Sequence, residues 1–193
     1  MENFSRRKPL HAIIIAISVM VLLLVIDIVT KLVVHGVFNG VEGANVVVIP
    51  NFFWIYLTYN RGALASFLAD VSWGRIILSL LSIAGSAISI WYLVKKFFDL
   101  NIWYRIAIYL FIPGCTGNLI DRVGIYGTEG VIDFLKFNIF GYPFPVFNFA
   151  DMCLTVSIFV FFFATIFMKD KDQELEKKLE EKTDEWVCCN IEW

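Results

Sequence analysis

Three aspartates are the residues of this 193-residue chain best suited to chemistry: Asp121, Asp133 and Asp151. Each lies within an apolar stretch or directly beside one. Two carboxylates held close together share a proton, because both cannot ionise cheaply. Such a pair can activate water while it donates a proton to a carbonyl or leaving group. The sequence therefore favours an aspartic hydrolase and leaves open which of the three acids would form the pair.

Other catalytic chemistries are poorly supplied. His11 and His35 stand 24 positions apart, without the spacing of metal ligands. The sequence has no Gly-rich phosphate loop, no GxSxG and no HExxH. The cysteines form no CxxC pattern; they are Cys115, Cys153, Cys188 and Cys189. We therefore expect neither a metal nor a cofactor.

Asp27 and Lys31 are four residues apart, which places opposite charges on one face of a helix. An ionisable group at membrane depth is costly unless it is paired or hydrated, so such residues are functional candidates. The pair contacts substrate, fixes the helix as an ion pair whose lysine reaches the membrane interface, or does both. Asn60-Arg61-Gly62-Ala63 is first of all typical of a turn.

Asn118, Asp121 and Arg122 share a helical face by their spacing, which predicts a polar network at the end of an apolar segment. Asn148 and Asp151 open the last apolar segment, where either is also suited to capping a helix N-terminus. Asp133 is flanked by Val131-Ile132 and Phe134-Leu135 and is equally compatible with an outward-facing loop.

The composition indicates a membrane protein. Hydrophobic residues make up 59% of the chain, charged residues only 18%, and the mean hydropathy is +0.71. Residues 169–193 hold 5 Lys and 9 Asp/Glu, which leaves 11 Lys/Arg and 9 Asp/Glu for the preceding 168 residues. This balance excludes a disordered body, a basic nucleic-acid binder and a small disulfide-linked domain.

Four apolar runs approach the roughly 20 residues that a helix needs to cross a bilayer. They predict a membrane α-helical fold with spans at about 12–34, 76–94, 102–120 and 148–168. Pro113 predicts a kink or an early end of the third helix. We expect residues 1–168 to form a single integral-membrane domain and residues 169–193 a charged cytoplasmic tail.

The placement of cations predicts the orientation. Basic residues cluster before the first span, between the second and third, and after the fourth: Arg6, Arg7, Lys8, Lys95, Lys96, Arg105, Lys169 and Lys171. The longer loops 35–75 and 121–147 hold few cations. Both termini are therefore predicted to be cytoplasmic, with the three acids near the outer face. Within the first outer loop, 44–49 and 52–59 are rich in β-branched or aromatic residues, which predicts a small extracytoplasmic β-sheet on the membrane surface.

The motifs, taken in order on four spans, strongly resemble the bacterial lipoprotein signal peptidase (signal peptidase II) family over residues 10–168. They are Asp27/Lys31, Asn60-Arg61-Gly62-Ala63, Gly117-Asn118-Leu119-Ile120-Asp121-Arg122, Val131-Ile132-Asp133-Phe134 and Phe147-Asn148-Phe149-Ala150-Asp151. The resemblance implies an aspartic endopeptidase of the bacterial cytoplasmic (inner) membrane. Such an enzyme cleaves prolipoprotein signal peptides N-terminal to a diacylglyceryl-modified cysteine.

By the same resemblance the catalytic dyad is Asp133 and Asp151. Other matching positions would support the dyad or hold substrate: Asp27, Lys31, Asn60, Gly62, Asn118, Asp121, Arg122, Asn148 and Ala150. The implied partners are diacylglyceryl-modified prolipoproteins, membrane lipid and globomycin-type inhibitors, with no nucleic acid, metal or cofactor.

The chain differs from the family pattern at three places: the segment Leu64-Ala65-Ser66-Phe67, a longer stretch between Asp121 and Asp133, and Met152 after Asp151. Two other classes of protein would also place polar residues in spans. A proton-coupled transporter should hold its charges near the midplane, and a purely structural membrane protein would leave Asp133 and Asp151 replaceable.

Overall fold

The computed structural model describes residues 3–61, 73–128 and 130–168. Its helices are α1 (Asn3–Val37), α2 (Gly74–Lys96), α3 (Ile102–Arg122) and α4 (Phe149–Phe167). Its strands are β1 (Asn45–Ile49), β2 (Phe53–Asn60), β3 (Val131–Ile139) and β4 (Tyr142–Pro143). Gly62, the segment Leu64–Phe67 and the charged tail lie outside the described residues, so what the sequence indicates for them stays a prediction.

Three of these helices are long and apolar enough to cross a membrane: Leu10–Val37 of α1, Gly74–Lys96 and Phe149–Phe167. Most of their large apolar side chains are exposed, as on Leu22, Leu81 and Phe159. Exposed apolar surface of this extent is expected where lipid replaces water as the solvent. A membrane-spanning helical protein is therefore confirmed at this level.

Helix α3 differs because it contacts each of the other three helices. Its buried residues include small and polar ones such as Gly114, Gly117, Asn118 and Asp121. A helix that faces protein rather than lipid can carry such residues, which explains why α3 is less apolar than the other three. The fourth crossing stays a prediction. The early end at Pro113 is wrong, since α3 continues through it to Arg122.

Close packing of α3 against α4 depends on Gly114. A Cβ atom there would lie 2.9 Å from the backbone oxygen of Ala150 and 2.8 Å from Cγ of Leu154. The absence of a side chain lets the two backbones approach, as is common between membrane helices. Ala150 and Asp151 at the start of α4 are thereby brought beside the polar end of α3.

The four strands form one antiparallel sheet in the order β1-β2-β3-β4. The two segments predicted to form a small sheet, 44–49 and 52–59, pair as the antiparallel strands β1 and β2. The sheet is not confined to the first loop, however, because β3 comes from the segment between α3 and α4. Asp133 is therefore a strand residue, paired in register with Thr58 of β2, and not an outward-facing loop residue.

The sheet is anchored on the end of α1. Leu57, Ile132 and Phe134 form a buried apolar cluster that packs against Val34 and Phe38. Ile132 and Phe134 flank Asp133 and are themselves buried. This apolar packing fixes the strand that carries Asp133 over the ends of the helices.

Candidate active site

The site is built around the N-terminus of α4, which Asn148 caps. The Asp151 backbone N–H donates to Oδ1 of Asn148 at 3.0 Å, and the Asn148 backbone N–H donates to Oδ2 of Asp151 at 3.2 Å. This reciprocal pair is a capping box, in which each side chain satisfies a free amide of the first helical turn. The N-cap expectation is confirmed, and the box fixes the Asp151 carboxylate.

Asn148 also reaches Asp133. Its Nδ2 donates to Oδ1 of Asp133 at 2.6 Å. Asn148 and Asp133 are 0% and 2% exposed, so this bond is shielded from water. One asparagine therefore links Asp133 on β3 to Asp151 on α4.

Asn118 of α3 provides a second link. Its Oδ1 accepts from Nδ2 of Asn148 and from Nζ of Lys31, each at 3.1 Å, and its Nδ2 donates to Oδ1 of Asp151 at 2.7 Å. An ammonium group can only donate, so Lys31 requires the amide oxygen of Asn118 to face it. The amide nitrogen then faces Asp151, and both carboxylates of the pair receive N–H donors.

Lys31 is fully buried between two carboxylates. Its Nζ lies 2.8 Å from Oδ2 of Asp27 and 2.9 Å from Oδ2 of Asp121. The predicted Asp27–Lys31 ion pair is present, but the expectation that Lys31 extends to the interface is wrong. Asp121 and Asn118 of α3 satisfy the ammonium group inside the protein, which removes the drive to reach water.

The two carboxylates on Lys31 also hold the backbone of the site. Asp27 accepts from the Ala150 N–H at 2.8 Å, and Asp121 accepts from the Ile132 N–H at 3.2 Å. The predicted polar network at the end of α3 is present, but Asn118 and Asp121 are joined through Lys31, and Asp121 also holds β3. Both acids fix the elements that carry Asp133 and Asp151.

The environment of Asp133 favours its neutral form. Burial raises the pKa of this carboxyl to about 7, and the nearby Asp151 carboxylate contributes in the same direction. Hydrogen bonds from Asn148 and Asn60 and the charge of Lys31 oppose this shift without cancelling it. An acid that holds a proton near neutral pH, beside a second carboxylate, has the properties of a general acid–base pair.

Asn60 ends β2 and hydrogen-bonds Asp133 through its side chain. Glu42, which no sequence motif marks, holds that end of the strand. It accepts from the Tyr59 N–H and from Thr58 Oγ1, each at 3.2 Å, and pairs with Arg61 at 3.1 Å. A lone glutamate between two elements carries no sequence signal that would have revealed this role.

Arg122, at the end of α3, interacts electrostatically with Asp151, Asp133 and Asp121. Two residues of α2 hold it, and neither was predicted. Nη1 of Arg122 donates to Oγ of Ser82 at 3.2 Å, and Arg75 Nε donates to the Arg122 backbone oxygen at 2.6 Å. Within the three described ranges, no cluster of His, Cys, Asp or Glu has the arrangement of a metal site.

Gly117 lets α1 and α4 close around this network. A Cβ atom there would overlap the Asp27 carboxylate and lie 3.4 Å from Cβ of Ala150. We therefore expect Gly117→Ala to displace Asp27 and to reduce folded yield and activity. The unfolding free energy should fall by about 1–3 kcal/mol, the usual cost of overpacking. Thermal unfolding in detergent micelles would measure it.

The matched control is Gly36→Ala, at a glycine of α1 where an added Cβ would meet no atom within 4 Å. That variant should be neutral or slightly stabilising, because alanine favours helix. Equal behaviour of the two variants would contradict the close approach inferred at Gly117.

Taken together, the fold and the site define a helical membrane protein with two carboxylates joined by asparagines beside a small sheet. The sequence matches the family model described as signal peptidase (SPase) II over residues 19–167. The chain belongs to the signal peptidase II family, a family of peptidases, as the sequence motifs indicated.

Named relatives agree with this assignment. A lipoprotein signal peptidase of Pseudomonas fluorescens is 41% identical over 138 residues, which is 70% of this chain and 78% of the relative. One from Staphylococcus aureus is 32% identical over 164 residues, 85% of this chain and 94% of the relative. A bacterial membrane enzyme solved by the in meso method at 1.9 Å resolution superposes with a TM-score of 0.66 at 31% identity, covering 79% of this chain and 92% of that one.

Proposed function

We propose that the chain is an aspartic endopeptidase that removes signal peptides from prolipoproteins, cleaving N-terminal to the lipid-modified cysteine. Asp133 and Asp151 form the catalytic dyad. The observation that carries the proposal is the single side chain of Asn148, which donates to Asp133 while it caps the helix turn that holds Asp151. The named relatives, which are lipoprotein signal peptidases, supply the substrate class.

The chemistry follows from the different surroundings of the two acids. Asp133 holds the proton, because burial and Asp151 raise its pKa to about 7. Asp151 takes a proton from water as the water oxygen attacks the scissile carbonyl, and Asp133 donates its proton to the carbonyl oxygen. These two transfers give a tetrahedral diol intermediate. Its C–N bond then breaks as Asp151 protonates the leaving amine, and Asp133 recovers a proton from one of the two hydroxyl groups, which becomes the carbonyl of the product acid.

The acids are placed for a lipid-anchored substrate. Asp121 is in the last turn of α3, Asp151 is in the first turn of α4, and Asp133 lies on the sheet beyond the helix ends. Diacylglyceryl chains and an apolar signal helix can remain in lipid while the scissile bond reaches this level. The same placement argues against a transporter, which would hold its charges near the midplane.

Purified protein incubated with a diacylglyceryl-modified prolipoprotein tests the proposal. Mass spectrometry should find a product that begins at the lipidated cysteine, and globomycin-type cyclic peptides should block its formation. An unmodified precursor of the same sequence is the control and should be cleaved poorly. Cleavage elsewhere, or no cleavage of the lipidated substrate by folded protein, would overturn the proposal.

The pH dependence follows from Asp133. Because its raised pKa of about 7 keeps it protonated below that pH, the rate should fall as pH rises through about 7 and the general acid is lost. Initial rates between about pH 5 and 9, on a substrate without titrating groups near the scissile bond, would measure this. A rate that stays unchanged across this range would show that Asp133 does not supply the proton.

We also propose that both termini are cytoplasmic and that the sheet lies at the outer face of the inner membrane. A cysteine placed at the exposed Val47 of β1 should react with an impermeant thiol reagent from outside, and one at Lys96 only after the cytoplasmic side is opened. The background for both variants lacks Cys188 and Cys189. Labelling in the reverse pattern would invert the topology.

A further inference from the structure

Helix α2 holds Arg122 at two points. Arg75, in its first turn, donates to the Arg122 backbone oxygen through Nε at 2.6 Å and also through Nη2. Ser82, seven residues further along, accepts from Nη1 of Arg122 at 3.2 Å. Seven residues are about two helical turns, so both groups lie on one face of α2. The end of α3 and the guanidinium it carries are therefore fixed by one helix face.

Ser82 is suited to this role because its hydroxyl proton already has an acceptor. Its Oγ–H donates to the Leu78 backbone oxygen at 2.9 Å, which leaves the oxygen lone pairs to accept from Arg122. The side chain is buried, with 9% of the residue's surface exposed. Because Ser82 accepts from Nη1, one edge of the guanidinium lies against α2, and the Arg122 side chain can adopt fewer orientations.

We propose that Ser82 is a positioning residue that acts through Arg122, fixing its positive charge within electrostatic range of the Asp133–Asp151 pair. Arg122 interacts electrostatically with both of these acids. A fixed cation favours the ionised member of the pair, the form that takes the proton from water. The inference rests on the proposed function, since it assigns a role within that reaction.

Other charged groups belong to the ion-pair and hydrogen-bond network around the site and should stay in place when Ser82 is replaced. They are Asp27 and Lys31 from α1, Asp121 from α3, and Arg75 from α2. Lys31 is held by Asp27, Asp121 and Asn118, and among the described hydrogen bonds and ion pairs none joins these residues to Ser82. Replacing Ser82 should therefore change the position of the Arg122 charge and leave that of Lys31 as it is.

The test compares Ser82→Ala with Ser79→Ala in the full-length protein. Ser79 makes the same type of bond, from Oγ to the Arg75 backbone oxygen at 2.8 Å, and among the described contacts it has none with Arg122. A hydrogen bond to a charged group commonly accounts for a factor of about ten, so kcat of Ser82→Ala should fall about tenfold with KM little changed. Ser79→Ala should retain the wild-type kcat.

The pH profile separates positioning from a merely structural role. Moving a nearby cation away raises the pKa of a carboxyl group, so the fall in rate near pH 7 should move to higher pH by about half a unit in Ser82→Ala. This is a fraction of the roughly one to three units that an adjacent opposite charge produces. Ser82→Thr retains the hydroxyl and should restore both kcat and the profile. An unmoved pH profile, failure of threonine to rescue, or equal loss in Ser79→Ala would overturn the inference.

Asp133→Asn distinguishes failure of this inference from failure of the proposed function. If that variant cleaves normally, the proposed function is wrong. If it is inactive while Ser82→Ala matches Ser79→Ala, the dyad stands and only the role of Ser82 is rejected.

Discussion

Asp133→Asn and Asp151→Asn are each expected to abolish peptide cleavage while insertion and folded yield stay close to wild type. Asparagine keeps the size of the side chain and one acceptor oxygen, but it cannot act as a base or supply an acidic proton. Loss of general acid–base catalysis alone typically costs about 100-fold to 10,000-fold, and a dyad that shares one proton should lie at or beyond the upper end. Cleavage per folded molecule on a lipidated precursor is the measurement.

Asp121→Asn is the matched comparison, since it makes the same change in a neighbouring buried acid. Asp121 pairs with Lys31 and accepts a hydrogen bond from the Ile132 N–H. Its replacement should therefore lower the stability of the protein more than the cleavage rate per folded molecule. Removing one partner leaves the rest of a buried charge network imperfectly compensated. Substantial cleavage by Asp133→Asn or Asp151→Asn, together with a folded but inactive Asp121→Asn, would show that a different pair of acids is catalytic.

Local patterns in the sequence predicted the parts of the site that depend on one element. The i, i+4 spacing placed Asp27 beside Lys31, and the pairing of Asn148 with Asp151 at a helix start predicted the cap. In both cases the interacting groups are within about four residues of each other, so backbone geometry alone brings them together. The membrane character followed from apolar runs that are longer than the core of a soluble protein requires.

Contacts between distant elements were the ones the sequence did not reveal. The strand that carries Asp133 pairs with β2 from a distant part of the chain, and its irregular pattern Val131-Ile132-Asp133-Phe134-Leu135 does not alternate as a half-buried strand should. Ile132 and Phe134 pack on α1, while Val131 and Asp133, on the opposite face of β3, are also buried. Both faces of the strand are therefore covered, and the alternation with a period of two is lost. The spacing of Lys31 likewise indicated Asp27 as a partner but could not show Asp121 and Asn118, which lie on α3.

The arrangement around Lys31 explains how a polar site is stable inside an apolar bundle. The ammonium group is paired with two carboxylates, and each carboxylate satisfies a backbone amide of a different element. These bonds join α1, α3, β3 and α4 at one level. The carboxylates of the proposed catalytic pair are then positioned by asparagines whose orientation Lys31 determines through Asn118.

Lys31→Met is therefore expected to give the largest loss of stability of any single substitution considered, about 3–5 kcal/mol in unfolding free energy. It leaves the Asp27 and Asp121 carboxylates close together in a dry site without their cation, and it frees the Asn118 amide to turn away from Asp151. Denaturant unfolding in detergent micelles would measure the loss. Lys96→Met, at a lysine whose side chain is 55% exposed and 3.4 Å from Asp99, is the control and should change stability by less than about 1 kcal/mol.

A second substitution separates the loss of charge from the loss of packing. If the unpaired carboxylates cause the destabilisation, Lys31→Met combined with Asp121→Asn should be more stable than the sum of the two single changes predicts, because fewer buried charges remain unpaired. Cleavage should stay low in the double variant, since the Lys31 ammonium no longer holds the Asn118 oxygen and the amide nitrogen is not fixed on Asp151. Additive destabilisation would show that Lys31 does not balance the charge of these carboxylates. Wild-type cleavage by Lys31→Met would show that Lys31 does not orient the asparagines of the site.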